Sequence, residues 1–155
     1  MDGLKAKNIL VTGGGGFIGS HLVDELIERG HNVVVIDNLS SGKRENINLK
    51  ARFYKADVRD KNIFQILERE KIDGVFHLAA QPIVEKAYEN PVETLETNIM
   101  GTVNVLEACR QKGDLKFVVV ISSDKAYGRT KELPYKEFFP LKGSQYLSIF
   151  HQAQS

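Results

Sequence analysis

Hydrophobic positions along the chain alternate between two periods, one suited to strands and one to helices. Asn8 to Thr12 is a short apolar run that predicts a strand. Phe17 to Arg29 follows as a helix with Ile18, Leu22 and Leu26 at helical spacing, and Gly30 stands where a C′ glycine ends such a helix. Asn32 to Asp37 contains Val33, Val34, Val35 and Ile36 in succession. An unbroken β-branched run of this kind predicts a strand buried on both faces. The loop Asn38 to Gly42 is rich in Asn, Ser and Gly. Arg52 to Ala56 is a weaker strand, and Lys61 to Glu70 a helix with Ile63, Ile66 and Leu67 inward. Gly74 to Leu78 is another apolar strand. Pro91 to Lys112 is a long helix with Val92, Leu95, Ile99, Val103, Leu106 and Ala108 as its apolar positions, and Phe117 to Ile121 a further strand.

Strand–helix alternation over 155 residues implies one domain: an α/β, doubly wound parallel sheet of about five strands with right-handed crossovers. Such sheets place ligands at the carboxyl ends of their strands, near the switch point. The residues just after each strand therefore carry the functional question. Composition changes little. The net charge of +1 gives no reason to expect nucleic acid or an anionic membrane as partner. The single cysteine, Cys109, excludes an internal disulfide and reads as a core residue of a cytoplasmic protein. No apolar run approaches the roughly 18 residues of a membrane span. His21 has no metal-like companion, so no metal is expected, and His77 reads as a hydrogen-bonded core histidine.

Gly13-x-x-Gly16-x-x-Gly19 follows the first strand and opens the first helix. Gly13 permits the tight turn, Gly16 lets backbone approach a pyrophosphate, and Gly19 lets helix and strand pack closely. The helix N-terminus then offers free N–H groups to phosphate. An acid, Asp37, ends the second strand 18 positions beyond Gly19. Its carboxylate would accept from adenosine ribose hydroxyls and repel a 2′-phosphate, which favours NAD over NADP in a Rossmann-type site. Asp57 ends the third strand and either meets an adenine amino group or caps the next helix, with Asp60 the better cap. Leu78-Ala79-Ala80 ends the fourth strand with small residues that let a ribose and diphosphate lie on backbone, or that simply pack. After the fifth strand, Ser122 to Gly128 sets a hydroxyl, a carboxylate and an amine together, either as reacting groups or as a solvated turn.

Together these motifs resemble the extended short-chain dehydrogenase/reductase superfamily, and within it the NAD-dependent sugar-nucleotide epimerases and dehydratases. The matching stretches are Thr12–Gly19, Asp37–Gly42, Asp57-Val58, His77–Ala80, Asn98–Thr102 and Ser122–Gly128, in the family's order. The resemblance implies that backbone N–H groups of Phe17 and Ile18 hold the diphosphate. It gives Asp37, Asn38 and Ser41 the adenosine ribose side, Asp57 and Val58 the adenine, and Leu78, Ala79, Ala80 and Asn98 the nicotinamide half. It makes Ser123 the hydroxyl on the sugar O4. It makes Asp124 and Lys125 the acid and base of a 4,6-dehydratase, most similar to the CDP-glucose type. The implied partners are a nucleotide-sugar substrate and a second copy through the helix beginning near Pro91.

The family also carries a Tyr-x-x-x-Lys pair after that hydroxyl. Tyr146 is near the expected place, but position 150 is Phe150. Tyr127 to Lys131 matches the spacing by chance, too close to Ser123. We therefore expect a NAD-binding domain over residues 1–143, a non-family tail over 144–155, no substrate domain, and impaired turnover. A frameshift or premature stop in a longer gene would produce such an ending.

Overall fold

The computed structural model describes residues 7–128 and 132–141. The first strand, β1 (Asn8–Thr12), turns through glycines into helix α1 (Phe17–Glu28) and returns as β2 (Asn32–Asp37). Next come a 3₁₀ turn at Arg44–Asn46, β3 (Arg52–Lys55), α2 (Ile63–Arg69) and β4 (Gly74–His77). Helices α3 (Val84–Glu89), α4 (Pro91–Leu95) and α5 (Gly101–Lys112) lead to β5 (Phe117–Val120). A π-helical turn, Glu96–Met100, joins α4 to α5, and Asp124–Tyr127 forms a last 3₁₀ turn. The sheet is parallel throughout, in the order β3-β2-β1-β4-β5. The fold class read from the sequence is thus the observed one, with the order reversing between β1 and β4.

Alternation along the central strands sorts the core onto two faces. Leu10, Val34, Ile36 and Val75 face α2 and α5, where Ile63, Leu67, Val105 and Cys109 meet them. Ile9, Val11, Val33 and Val35 face α1 through Val23 and Leu26. That is why β2 reads as one continuous apolar run: each face has its own helix layer. Burial raises the Cys109 thiol to about 11, which suits a packing role. Gly30 ends α1 with φ +82°. Asn90 starts α4 by accepting the Glu93 N–H at 3.2 Å, with Pro91 in the first turn.

The fold decides which helix faces are buried, and two expectations, the cap of α2 and the stretch before Pro91, need correction. The long helix turns Ala108, Val105 and Cys109 inward, while Val92, Leu95, Ile99, Val103 and Leu106 are exposed. Apolar periodicity located this helix but not its buried side, because two apolar faces compete on it. Ile18 is 66% exposed beside the glycine turn, and Gly19, Ser20, Val23 and Leu26 form the inward face of α1. Asp60 does not cap α2, which starts only at Ile63. Its Oδ2 instead accepts the Asp57 N–H at 3.0 Å. Helix α3 was not expected at all. Pro82 and Pro91 bracket it, and the residues between read as loop. Its leading end is held by Gln81, whose amide both accepts the Ile83 N–H at 2.7 Å and donates to the Ile83 carbonyl.

At the sheet edge, Val118, Val119, Val120 and Ile121 are all more than a third exposed. Among the described residues, no helix is long and apolar enough to cross a membrane. Tyr146, Phe150 and residues 144–155 lie outside the described residues, as does Lys131.

Candidate dinucleotide site

A cleft of about 800 Å³ opens at the carboxyl ends of the strands, where the sheet order reverses. This is the position expected for a ligand in an open α/β sheet, and the volume falls in the range of ligand pockets. One wall is the glycine turn. Gly13 has φ +72° and sits so close to the β4 loop that a Cβ there would lie 2.8 Å from the Ala79 nitrogen. A Cβ on Gly19 would lie 2.1 Å from the Gly13 carbonyl oxygen, so the start of α1 presses directly on the turn. The helical ladder begins with the Ser20 N–H on the Gly16 carbonyl at 3.0 Å. The N–H groups of Phe17, Ile18 and Gly19 precede it and remain available at the cleft wall. Phe17 is 80% exposed there, and its ring meets His21 edge-on.

Asp37 ends β2 and stands across from this wall, almost wholly buried. Its Oδ2 accepts the Gly15 N–H at 2.8 Å, and its Oδ1 the Leu39 N–H at 2.7 Å. A Cβ on Gly42 would lie 3.0 Å from both oxygens, so the carboxylate is fenced by backbone on two sides. A carboxylate has about four acceptor positions. Two are used, and the others can serve a diol in the cleft. Asn38 and Ser41 line the cleft beside it, and the Asn38 side chain also accepts the Ser40 N–H.

Asp57 is placed differently. Val58 lines the cleft, but the Asp57 carboxylate sits behind Asn38. It accepts Nε and Nη2 of Arg59, each at 2.9 Å, and Nδ2 of Asn38 at 2.8 Å. The hydrogen bonds from Arg59 hold it well below the usual carboxylate range, at about 2. Arg59 extends further toward Glu96 on the π turn. Sequence reasoning missed this arginine, although an acid and a base two positions apart were the signal.

Leu78, Ala79 and Ala80 form the floor of the cleft, and Asn98 closes one side. Asn98 reaches the floor through Gln81, accepting its N–H at 2.7 Å and donating to its carbonyl at 3.1 Å. His77 is buried beneath, and desolvation lowers it to about 4, well under its ordinary 6.5. Ser123 lines the cleft after β5 together with Ser122, and its hydroxyl donates to Asp124 at 3.2 Å. Asp124 is itself exposed and outside the cleft lining. The Lys125 side chain lies outside the described residues. Tyr127 stacks on Tyr135 and takes no place in the lining. Among the described residues, the structure therefore brings Gly13, Gly16, Phe17, Ile18, Gly19, Asp37, Asn38, Ser41, Val58, Leu78, Ala79, Ala80, Asn98 and Ser123 to one cleft. Asp57 and Asp124 are left at its margins.

A glycine turn on a helix N-terminus, facing an acid on the next strand, defines a nucleotide-binding α/β domain. Residues 10–146 match the family model described as GDP-mannose 4,6 dehydratase. The chain belongs to this family of NAD-dependent nucleotide-sugar epimerases and dehydratases. It is 42% identical to a UDP-glucose 4-epimerase of Lacticaseibacillus casei, over 85% of this chain and 40% of that protein. The UDP-glucose 4-epimerase of Thermotoga maritima, solved with UDP-glucose, is 40% identical with a TM-score of 0.82, over 95% of this chain and 50% of that one. The UDP-glucose 4-epimerase of Thermus thermophilus, solved with NAD, is 38% identical with a TM-score of 0.79, over 94% of this chain and 51% of that one. The chain thus spans about half the length of these relatives.

Proposed function

We propose that this chain is the NAD-binding part of an enzyme that works on nucleotide sugars by reversible oxidation of the sugar. The carrying observation is the Asp37 carboxylate, fixed by the Gly15 and Leu39 N–H groups and facing the glycine turn across the cleft. The residues present fit the dinucleotide. Backbone replaces side chains where a diphosphate must approach, an acceptor meets the ribose, and small residues floor the nicotinamide half. When bound, NAD supplies a hydride acceptor for a sugar carbon. The protein's share is to hold and orient. The first-turn N–H groups of α1 bind phosphate oxygens, Asp37 and Asn38 orient the adenosine ribose, and Leu78–Ala80 keep water from the ring.

In this reading the Ser123 hydroxyl holds the sugar oxygen that loses its proton. Asp124 and Lys125 serve as acid and base in the dehydratase version of the chemistry. The similarity to 4-epimerases favours the simpler version, in which the hydride returns to the same carbon. Among the described residues, no Tyr or Lys lines the cleft to take the hydroxyl proton. Cofactor binding is accordingly the function proposed for the described residues. The cleft chemistry belongs with the soluble metabolites of the cytoplasm.

The test is calorimetric titration of the chain with NAD and NADP, followed by a 4-keto-sugar assay. NAD is expected to bind in preference to NADP. Asp37→Asn keeps the shape but removes the charge and one acceptor. It should weaken NAD binding roughly tenfold to a hundredfold, the value of a charged hydrogen bond, and narrow the preference over NADP. Absence of NAD binding by the unsubstituted chain sinks the proposal.

The exposed stripe of Val92, Leu95, Ile99, Val103 and Leu106 supports a second copy as partner. Sedimentation velocity should show a concentration-dependent shift toward dimer or larger species. A monomer at every concentration would contradict this.

A further inference from the structure

The buried His77 ring bridges two threonines at the inner end of the cleft, whose lining includes His77 and Thr102. Its Nδ1 lies 2.7 Å from the Thr12 hydroxyl, and its Nε2 3.0 Å from the Thr102 hydroxyl. Each threonine independently fixes where the ring proton sits. The Thr12 oxygen accepts the N–H of Leu78 at 3.2 Å and of Ala79 at 3.1 Å. A hydroxyl has two lone pairs and one proton. The Leu78 N–H is shared with the Thr12 carbonyl at 3.2 Å; with this and the Ala79 N–H on its oxygen, the Thr12 hydroxyl turns its proton to Nδ1. On the other side, the Thr102 hydroxyl donates to the Asn98 carbonyl at 2.8 Å, which can only accept. Its remaining capacity toward the ring is as acceptor, so Nε2 carries the proton. Both constraints select the same neutral Nε2–H tautomer.

The result is one chain of hydrogen bonds running in a single direction. It starts at the Leu78 and Ala79 N–H groups and passes through Thr12, His77 and Thr102 to the Asn98 carbonyl. The Asn98 side chain then grips both backbone groups of Gln81, just beyond the same floor. The loop from Leu78 to Gln81 is thus fastened at both ends to one network, and no buried polar side-chain atom among the described residues lacks a partner.

We propose that His77 is a positioning residue for the nicotinamide half of the dinucleotide site, acting through this chain on the Leu78–Gln81 floor. The proposal rests on the NAD reading above. His77 and Thr102 reach the cleft lining, but His77 is only 2% exposed and both of its ring nitrogens are spent on the threonines, so it acts through the floor. It sets the height and tilt of the floor by tying the end of β4 to β1 on one side and to the central helix on the other. A network whose members are all satisfied specifies one arrangement, and the loss of one member leaves buried groups unpaired.

The test uses the whole chain. Thr102→Val removes the acceptor for Nε2–H with little change of shape, and Thr102→Ser restores it. Thr102→Val should weaken NAD binding about tenfold, the effect of one unpaired buried group, and Thr102→Ser should stay within about twofold of the unsubstituted chain. A lower melting temperature with unchanged NAD affinity in Thr102→Val would mean a structural role only, and would overturn the proposal. Ring nitrogen chemical shifts of His77, measured on the unsubstituted chain, are expected to show the proton on Nε2. A proton on Nδ1 overturns the proposal even if Thr102→Val does not fold. Failure of the unsubstituted chain to bind NAD would instead overturn the functional reading on which this rests.

Discussion

Gly19→Ala is expected to abolish dinucleotide binding and to cost about 3 kcal/mol of stability or more, the upper end for overpacking a core. The added Cβ would lie 2.1 Å from the Gly13 carbonyl oxygen, 2.8 Å from its carbon and 2.9 Å from the Gly14 Cα. All three are backbone atoms, so no rotamer change relieves the contact. The strain can be released only by lifting α1 off the glycine turn. That movement withdraws Val23 and Leu26 from Ile9, Val11 and Val35, and carries the free N–H groups of Phe17 and Ile18 out of line with the cleft. Domains are held by only about 5–15 kcal/mol, so the loss is a large share of the total. Gly16→Ala is the useful contrast. Its Cβ would meet the same oxygen at 3.3 Å, which small adjustments can absorb. It should impair phosphate approach while leaving the melting temperature nearly unchanged. Thermal denaturation and NAD titration of both variants check this. Gly19→Ala with unchanged stability and affinity would refute it.

Acid should destabilise the protein well before the Asp57 and Asp73 carboxylates titrate. His77 is held at about 4 by burial, against an ordinary value of 6.5. Between these values the unfolded chain binds a proton there that the folded chain refuses, so acidification favours unfolding. Stability is full above pH 6.5 and falls on the way down to about 4, where the folded ring also takes the proton and the loss stops. The 2.5-unit interval corresponds to about 3 kcal/mol. The geometry explains the refusal. A second ring proton on Nδ1 would point at the Thr12 oxygen, which already receives the Ala79 N–H and a share of the Leu78 N–H. The carboxylates work in a separate window. Asp57 is held at about 2 chiefly by Arg59, and Asp73 at about 2 chiefly by the Asn8 N–H, against an ordinary 3.8. Their contribution is complete above pH 3.8 and is lost only below it. Urea denaturation at a series of pH values should show the slope between 6.5 and 4, and His77→Gln should flatten it. A His77 ring that titrates near 6.5 by NMR would refute the assignment.

Most of the fold was legible because each layer has its own signature. The run Val33 to Ile36 is apolar at every position because helices cover both sides of the sheet, and such a run can be read without knowing which helices they are. The glycine turn was legible for the same local reason: Gly13, Gly16 and Gly19 act within one turn of chain. The exposed side of Pro91–Lys112 was not. Val92, Leu95 and Leu106 are as apolar as Val105 and Ala108, and only the position of the sheet decides which set is covered. Helix α3 escaped notice because its support comes from Gln81 and its ends are marked by prolines rather than by an apolar stripe.

Sequence alone therefore determined the order of the five strands, the parallel sheet, the phosphate-binding turn and the acid at the end of β2. Each depends on residues close together in the chain, where spacing translates directly into geometry. Tertiary structure decided what the remaining polar residues do. Asp57 reads either as a group facing the cleft or as a helix cap, and the fold turns it toward Arg59 and Asn38. His77 reads as a hydrogen-bonded core histidine and is one, but the sequence did not name its partners. Packing β4 beside β1 and under α5 set it between Thr12 and Thr102, 65 and 25 positions away. Contacts across such distances depend on how the layers stack, and no local pattern carries them.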